Sequence, residues 1–177
     1  MIGGGQVAFR KTAALLSCGA RVTVVSPELS AGLKRLVRER QVTWKKRRFR
    51  AADLSVIELA IAATDDQGVN LLAAREARRR RIWINVVDQP ALCSFILPSV
   101  VRRGKLVLAI STGGASPALA KWIREDLEAR YGPEFGELLI QAARARKEVH
   151  QRVRGAAQRK QLFEKALKAY LQVLKPA

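Results

Sequence analysis

Short apolar segments alternate with helical segments over the first half of the sequence. Helical periodicity covers residues 6–17, 28–40 and 66–80, and extended segments cover 21–25, 41–49, 58–64 and 82–87. Parallel strands need a crossover connection, which is usually a helix. The alternation therefore predicts an α/β fold with a Rossmann-type parallel sheet.

Past the last of these strands the alternation ends. Two extended runs, 93–101 and 105–111, are separated by Arg102, Arg103 and Gly104. A short connection that contains glycine favours an antiparallel hairpin. We expect this hairpin at the edge of the parallel sheet, where antiparallel strands commonly join parallel ones.

The rest of the sequence is helical. Ser116 can cap a helix, and Pro117 occupies the first helical position, where its missing N–H costs nothing. Apolar residues recur along these helices with little chain left to cover them, so we expect a homodimer. The predicted parts are a Rossmann domain over 1–110, a dimerisation segment over 111–149 and a small C-terminal helical segment over 150–177.

A glycine-rich turn opens the first helix. Residues 3–8 read GGGQVA and fit the dinucleotide-binding pattern G-x-G-x-x-A. Gly3 permits the tight turn, Gly5 lets the backbone approach a pyrophosphate, and Ala8 allows close helix packing. Because the helix N-terminus offers unpaired N–H groups to an anion, we expect an NAD-binding domain, although only two residues precede the turn.

The end of the second strand usually selects the nucleotide, because an acidic residue there binds the ribose 2′-OH of NAD. Here the strand ends in Ser26, Pro27 and Glu28, so a serine stands where the acid is expected. Ser26 can bind the ribose and Glu28 would repel a 2′-phosphate, whereas Arg10 or Lys11 can meet one. Because of Ser26 and Glu28, we expect NAD rather than NADP. The alternative, equally consistent with the sequence, is that Ser26 and Pro27 only turn the chain.

Two other strands end in polar residues at the same edge of the predicted sheet. Thr64 is expected to contact the cofactor, and Asp66 is expected to cap the following helix. Asp88 ends the last apolar run, where its carboxylate can accept or relay a proton during an oxidation. The alternative for Asp88 is a cap of the turn before Pro90.

A polar, glycine-containing segment joins the hairpin to the helices. Ser111, Thr112, Gly113 and Gly114 combine hydroxyls with exposed backbone N–H groups directly before a helix, which suits carboxylates or phosphates. A simple linker with a helix cap is the alternative. Arg102 lies between Asp88 and this segment, and we expect it to bind the substrate.

The sequence is strongly basic, with 33 Lys and Arg against 15 Asp and Glu, a net charge of +18. This balance predicts a polyanionic partner, and most basic runs, such as residues 45–48, are interpreted as solvated faces. No helix-turn-helix spacing or RNA-binding aromatic pattern is present, so nucleic acid is not the expected partner. The sequence has only two cysteines and one histidine, which favours a reducing, cytoplasmic location and no resident metal. No apolar run approaches about 18 residues, so we expect no membrane span.

Six segments together resemble the precorrin-2 dehydrogenase / sirohydrochlorin ferrochelatase family, the N-terminal module of siroheme synthase. They are GGGQVAFRK, GARVTVVSP, AIAATDD, NVVDQPALCSFILPS, RGKLVLAISTGGASPALAKWIRE and YGPEFGELL, and they span residues 3–139. The resemblance implies NAD-dependent oxidation of precorrin-2 to sirohydrochlorin in siroheme biosynthesis. It also implies an interlocked homodimer, with ferrochelation to siroheme from ferrous ion in some members.

The resemblance also assigns roles to single residues. It places Gln6 and Val7 on the cofactor-binding turn, and Pro27 and Glu28 on the second cofactor contact. It places Asp88 on the aspartate implicated in dehydrogenation and chelation.

Thr112 matches a hydroxyl position near the substrate cleft, which is phosphorylated in some bifunctional members. The substrate that the resemblance implies is a tetrapyrrole with several carboxylates, which agrees with a basic cleft. Two other hypotheses stay open at this point. One is a dinucleotide-sensing Rossmann module whose basic tail binds nucleic acid or an acidic partner, and the other is a protein that acts only as a chelatase.

Overall fold

A computed structural model describes residues 1–174, so the last three residues of the predicted segment 150–177 lie outside the described residues. The chain divides into two compact units, Met1–Leu97 and a second unit that begins at Pro98. Each unit is described by itself. The functional division at residues 110 and 149 stays a prediction.

The first unit is the predicted alternation of strands and helices. Its elements are α1 (Gln6–Ser17), β1 (Val22–Val25), α2 (Ala31–Arg38), β2 (Val42–Lys45), β3 (Leu59–Ala62), α3 (Gln67–Arg80) and β4 (Trp83–Val86), with short 3-10 turns at Ala51–Leu54 and Pro90–Leu92. β1 pairs with β2, and β3 pairs with β4, both in parallel. The prediction of a parallel sheet is confirmed.

The first residues of the chain join these two strand pairs into one sheet. Ile2 forms parallel bridges to Val25 of β1 and Ala62 of β3. Its N–H donates to the Ile61 carbonyl at 2.8 Å, and the Val25 N–H donates to the Met1 carbonyl at 2.8 Å. The strand order is therefore β2, β1, Ile2, β3, β4. The chain leaves the middle of this sheet where the strand order reverses, which is where ligands of open α/β sheets bind.

Helices cover both faces of the sheet, as a parallel sheet requires. On one face, Ala8 of α1 and Leu33 of α2 are fully buried in a cluster with Val24 of β1. On the other face, Ala73 and Ala77 of α3 pack in a second cluster with the apolar residues of β3 and β4. Small residues at the contact points let the helices approach the strands closely.

The second unit contains the predicted hairpin and the helices. β5 (Ser99–Arg103) pairs antiparallel with β6 (Leu106–Ile110), and α4 (Pro117–Arg130), α5 (Glu134–Arg152) and α6 (Ala156–Leu174) follow. The hairpin turns at Gly104, which has a positive φ of 58°. Both strands pack against α4 and α5. No helix within residues 1–174 is both long enough and apolar enough to cross a bilayer.

The predicted place of the hairpin, at the edge of the parallel sheet, is wrong, because β5 and β6 form a sheet of their own. The physical reason lies along the outer strand β4. The Ile84 N–H donates to Ser94 Oγ at 2.8 Å, the Ser94 N–H donates back to the Ile84 carbonyl at 2.8 Å, and the Val86 N–H donates to Cys93 Sγ at 3.1 Å. The segment after β4 thus occupies the edge that another strand would need.

Candidate dinucleotide site

The glycine turn between Ile2 and α1 is held by close backbone packing. Gly3 has a φ of +105°, which side-chain-bearing residues rarely adopt, and a Cβ there would collide with the Ala63 carbonyl. A Cβ on Gly4 would collide with the Glu28 carbonyl, whereas one on Gly5 would meet open space. The first two glycines are therefore required by the fold, and the third leaves room for a ligand. The sequence pattern G-x-G-x-x-A assigns no role to Gly4.

The N-terminus of α1 faces this open space without competing groups. Gly5 is its N-cap residue and has no side chain to bind the helix N–H groups, and no acidic residue lies in the first turn. The first intrahelical bond runs from the Phe9 N–H to the Gly5 carbonyl at 3.0 Å. The N–H groups of Gln6 and Val7 therefore have no intrahelical acceptor and are suited to an anion such as a pyrophosphate.

A cavity of about 170 Å³ lies beside Gly3 at the carboxyl ends of β1 and β3. Its lining residues come from four segments: Ile2, Gly3, Val25, Ser26, Pro27, Arg48, Phe49, Thr64, Asp66 and Val69. Four predicted cofactor residues thus share one cavity, while the other four lie outside its lining. Ligand pockets usually measure about 300 to 1,000 Å³, so this cavity is smaller than the site that a whole dinucleotide needs. A larger open groove of about 660 Å³ runs along α2 and β2 and contains none of the predicted site residues.

The polar groups of this cavity are held by local hydrogen bonds. Ser26 is buried, and its carbonyl accepts from Trp44 Nε1 at 2.9 Å. The Thr64 carbonyl accepts from the buried Asn70 Nδ2 at 3.0 Å. Asp66 Oδ1 accepts from the Val69 N–H at 3.1 Å, which confirms its predicted role as a helix cap.

Arg48 and Phe49 also line the cavity, although no sequence pattern predicts that they do. Their segment is anchored by Asp53, which is buried and accepts from Arg47 Nη1 at 2.8 Å and Nη2 at 2.6 Å. It also accepts from Lys45 Nζ at 3.1 Å and from the Arg50 N–H at 3.0 Å. We call these four residues, 45, 47, 50 and 53, the Asp53 network.

The Asp53 network has a clear electrostatic signature. The hydrogen bond from Arg47 does most to hold the pKa of Asp53 well below its usual range, against the opposing effect of burial. A fully ionised carboxylate therefore fixes the loop between β2 and the 3-10 turn. The sequence signal was an acidic residue three positions after Arg50, at the start of a short helical turn.

Asp88 lies on a tight turn directly after β4. It has a positive φ of 59°, and the Gln89 N–H donates to the Val86 carbonyl at 3.2 Å. Aspartate tolerates this left-handed conformation better than most residues. The Cys93 thiol lies 3.2 Å from the Val86 carbonyl and 3.3 Å from the Gln89 carbonyl, so it contacts the backbone on both sides of Asp88. The Asp88 carboxylate itself is exposed to solvent.

Lys11 of α1 is electrostatically linked to Asp88. Burial does most to lower the pKa of this lysine, the neighbouring Arg10 lowers it further, and the charge of Asp88 raises it. The sequence indicates Lys11 only as a contact for a 2′-phosphate. The structure brings it within electrostatic range of the proposed proton acceptor.

The predicted substrate segment forms a self-contained turn in the second unit. Thr112 Oγ1 accepts from the Ser116 N–H at 3.1 Å and donates to the Ser116 carbonyl at 3.1 Å. Ser111 Oγ accepts from the Gly113 N–H at 3.2 Å, and Ser116 Oγ caps α4 through the Leu119 N–H at 3.2 Å. The positive φ of Gly113, 62°, shapes this turn.

Gly114 completes the turn with a φ of 87°, and Arg102 of β5 is exposed. These residues belong to the second unit, and Asp88 belongs to the first. Their meeting in one substrate cleft stays a prediction.

Comparison with protein families agrees with this site. Residues 1–99 match the family described as putative NAD(P)-binding, and residues 103–130 match the family described as the central domain of a sirohaem biosynthesis protein. The first match contains the glycine turn, the cavity and Asp88. Fold and site together define an NAD(P)-binding protein of the Rossmann class.

Individual relatives narrow this class. Siroheme synthase 1 of Serratia proteamaculans is 41% identical over 165 residues, which cover 93% of this chain and 35% of that protein. Siroheme synthase of Nitrosospira multiformis is 44% identical over 169 residues, which cover 93% and 36%. The chain thus spans about a third of the length of these relatives. The solved structure of SirC, a precorrin-2 dehydrogenase, superimposes with a TM-score of 0.78 at 27% identity and covers 97% of this chain and 90% of SirC.

The chain belongs to the family described as putative NAD(P)-binding, and its second unit contains the match to the central domain of a sirohaem biosynthesis protein. The resemblance found in its sequence motifs is thereby confirmed.

Proposed function

We propose that the chain oxidises precorrin-2 to sirohydrochlorin and uses NAD as the hydride acceptor. One observation carries the proposal: the glycine turn opens onto an unobstructed helix N-terminus at the switch point of the sheet. The similarity to SirC, a precorrin-2 dehydrogenase, over nearly the whole chain supports the choice of substrate. The siroheme synthase relatives support a place in siroheme biosynthesis.

The residues present fit a dinucleotide. The turn has no space for a side chain at Gly3 or Gly4, so the backbone itself forms the cradle. The N–H groups of Gln6 and Val7 would hold the pyrophosphate. NAD, when bound, supplies the carbon that accepts the hydride.

The residues after β1 would contact the ribose of the nucleotide. Ser26 and Pro27 line the cavity, and Glu28 is exposed beside them. Thr64 lines the same cavity. Together these residues would orient the nucleotide along the carboxyl edge of the sheet.

Asp88 is proposed as the group that accepts or relays a proton. Dehydrogenation removes a hydride, which goes to the nucleotide, and a proton, which needs a base. The Asp88 carboxylate is exposed, so it can pass this proton to water. Lys11 of α1 lies close enough for its charge to interact with that of Asp88.

The substrate would bind through its carboxylates. Arg102 and residues 111–114 are proposed contacts, because Arg102 is an exposed cation and the loop offers backbone N–H groups before α4. The net charge of +18 would also steer a polyanionic tetrapyrrole toward the protein.

We propose a homodimer in the cytoplasm. The second unit exposes large apolar side chains, among them Leu119 with 49% of its surface accessible and Trp122 with 66%. A second copy of the chain would cover them, since such patches mark interaction surfaces. Cys18 and Cys93 are free thiols, which suits a reducing compartment.

The deciding experiment incubates the protein with precorrin-2 and NAD and follows both the chlorin absorbance and the formation of NADH. Equal rates of appearance support the proposal. A protein that binds NAD but leaves precorrin-2 unchanged would instead support the dinucleotide-sensing alternative. Ferrous ion is then added as a second substrate to the finished reaction, and a shift to the siroheme spectrum identifies chelation.

A further inference from the structure

The nucleotide cavity lacks the feature that normally excludes NADP. An acidic residue at the end of β1 would repel a 2′-phosphate, but Ser26 occupies that position and is buried in the cavity wall. Asp66 is the one carboxylate among the lining residues, and its Oδ1 already accepts from the Val69 N–H. The side chain of Glu28 is exposed and does not line the cavity.

A cation lines the same cavity. Arg48 follows β2, so it lies next to the strand end that carries Ser26. Within residues 1–174, no carboxylate forms an ion pair with Arg48, whereas its neighbours Lys45 and Arg47 are both paired with Asp53. The guanidinium of Arg48 is therefore available to an anionic ligand.

The backbone of Arg48 is held in place before any ligand binds. Arg47 Nη1 donates to the Arg48 carbonyl at 3.0 Å while the same guanidinium is bound to Asp53. The next residue, Phe49, is buried in the core. An anchored backbone on both sides lowers the entropy that Arg48 loses when it binds, which is the benefit of preorganisation.

We propose that Arg48 binds the adenosine 2′-phosphate of NADP, so that the site accepts NADP as well as NAD. This inference rests on the proposed function, because it assumes that the cavity holds the adenosine half of the dinucleotide. Arginine is suited to the task, since its planar guanidinium forms paired, charge-assisted hydrogen bonds to phosphate. Asp66, the one carboxylate among the lining residues, repels the same phosphate, so NAD stays the better ligand.

The test measures four ligands by calorimetry on the full chain: NAD, NADP, 5′-AMP and 2′,5′-ADP. Arg48→Ala is expected to weaken NADP and 2′,5′-ADP by about 10- to 100-fold, the usual worth of hydrogen bonds to a charged group. NAD and 5′-AMP should change by less than about threefold. Arg48→Lys should retain part of the binding of 2′,5′-ADP, because it keeps the charge and loses the paired geometry.

Arg50→Ala is the matched control, since Arg50 is an exposed arginine of the same loop outside the cavity lining and its N–H to Asp53 survives the change. It should leave the ratio of NADP to NAD affinity unchanged. Two results would overturn the inference and leave the proposed function standing. One is an Arg48→Ala variant whose affinity falls equally for all four ligands. The other is a wild-type protein that binds NADP over a hundredfold more weakly than NAD. A wild-type protein that binds none of the four ligands overturns the proposed function itself.

Discussion

Replacing Asp53 by asparagine tests whether the Asp53 network holds the loop that lines the nucleotide cavity. The carboxylate accepts hydrogen bonds from Arg47, Lys45 and the Arg50 N–H. Asparagine keeps the size of the side chain, but it loses the charge and turns an N–H₂ group toward cationic donors. The change therefore removes the attraction and leaves the geometry nearly intact.

The size of the stability loss follows from the burial of Asp53 and of its cationic partners. Removing one partner of a fully buried ion pair costs about 3 to 5 kcal/mol. The Asp53 side chain is only 5% exposed, but those of Arg47 and Lys45 are 34% and 43% exposed, so water can solvate them after the change. We therefore expect a loss of about 2 kcal/mol in the free energy of unfolding. This loss lowers the melting temperature by roughly 5 to 15 °C, depending on how much of the chain unfolds together.

The loss should also depend on pH in a defined direction. The pKa of Asp53 is lowered in the folded state, chiefly by Arg47, so the ionised carboxylate stabilises the fold. That stabilisation is complete above the pKa of an unfolded aspartate, about 4, and is lost as the pH falls through the lower folded value. The gap between wild type and Asp53→Asn should stay constant from about pH 5 to 8 and close below about pH 4.

Thermal unfolding followed by circular dichroism at pH 7, 5 and 3 measures this gap. Glu39→Gln serves as the control, because the Arg35–Glu39 pair is 3.8 Å apart with both side chains largely exposed, and it should cost less than about 0.5 kcal/mol. A variant that melts within 2 °C of wild type at pH 7 would refute the reasoning. So would a gap that is undiminished at pH 3.

Three further predictions address the site and the assembly. Asp88→Ala should lower turnover by a factor of about 10² to 10⁴ and leave the affinity for NAD nearly unchanged. If Asp88 only caps the turn, the same change should lower the free energy of unfolding by about 1 kcal/mol and leave turnover almost intact. Measuring the rate and the melting temperature of the variant distinguishes the two outcomes. Gly4→Ala should unfold at a clearly lower temperature because its Cβ meets the Glu28 carbonyl, while Gly5→Ala should melt normally and bind NAD about tenfold more weakly in calorimetry. Light scattering at micromolar concentration should give about twice the 19.6 kDa chain mass, and a monomer at every concentration would contradict the proposed dimer.

The elements of this protein and their local signals follow from the sequence alone. The helix predicted over 6–17 is α1, Gly19 after it has a φ of 80° as a helix-ending glycine does, and Asp66 and Ser116 cap the helices that follow them. These features depend on residues within one or two turns of each other, so periodicity and capping preferences reveal them. The order of glycines at residues 3–5 likewise marks the nucleotide turn before any fold is known.

Only the tertiary structure decided which residues surround that turn. Arg48 belongs to a run of basic residues, and nothing in its periodicity distinguishes it from Arg47, yet one lines the cavity and the other binds Asp53. The hairpin has a local signature, but its sheet was decided by Ser94 and Cys93, whose side chains occupy the edge of β4. In both cases several arrangements satisfy the local sequence preferences equally well. Side-chain hydrogen bonds between separate segments of the chain select one of them.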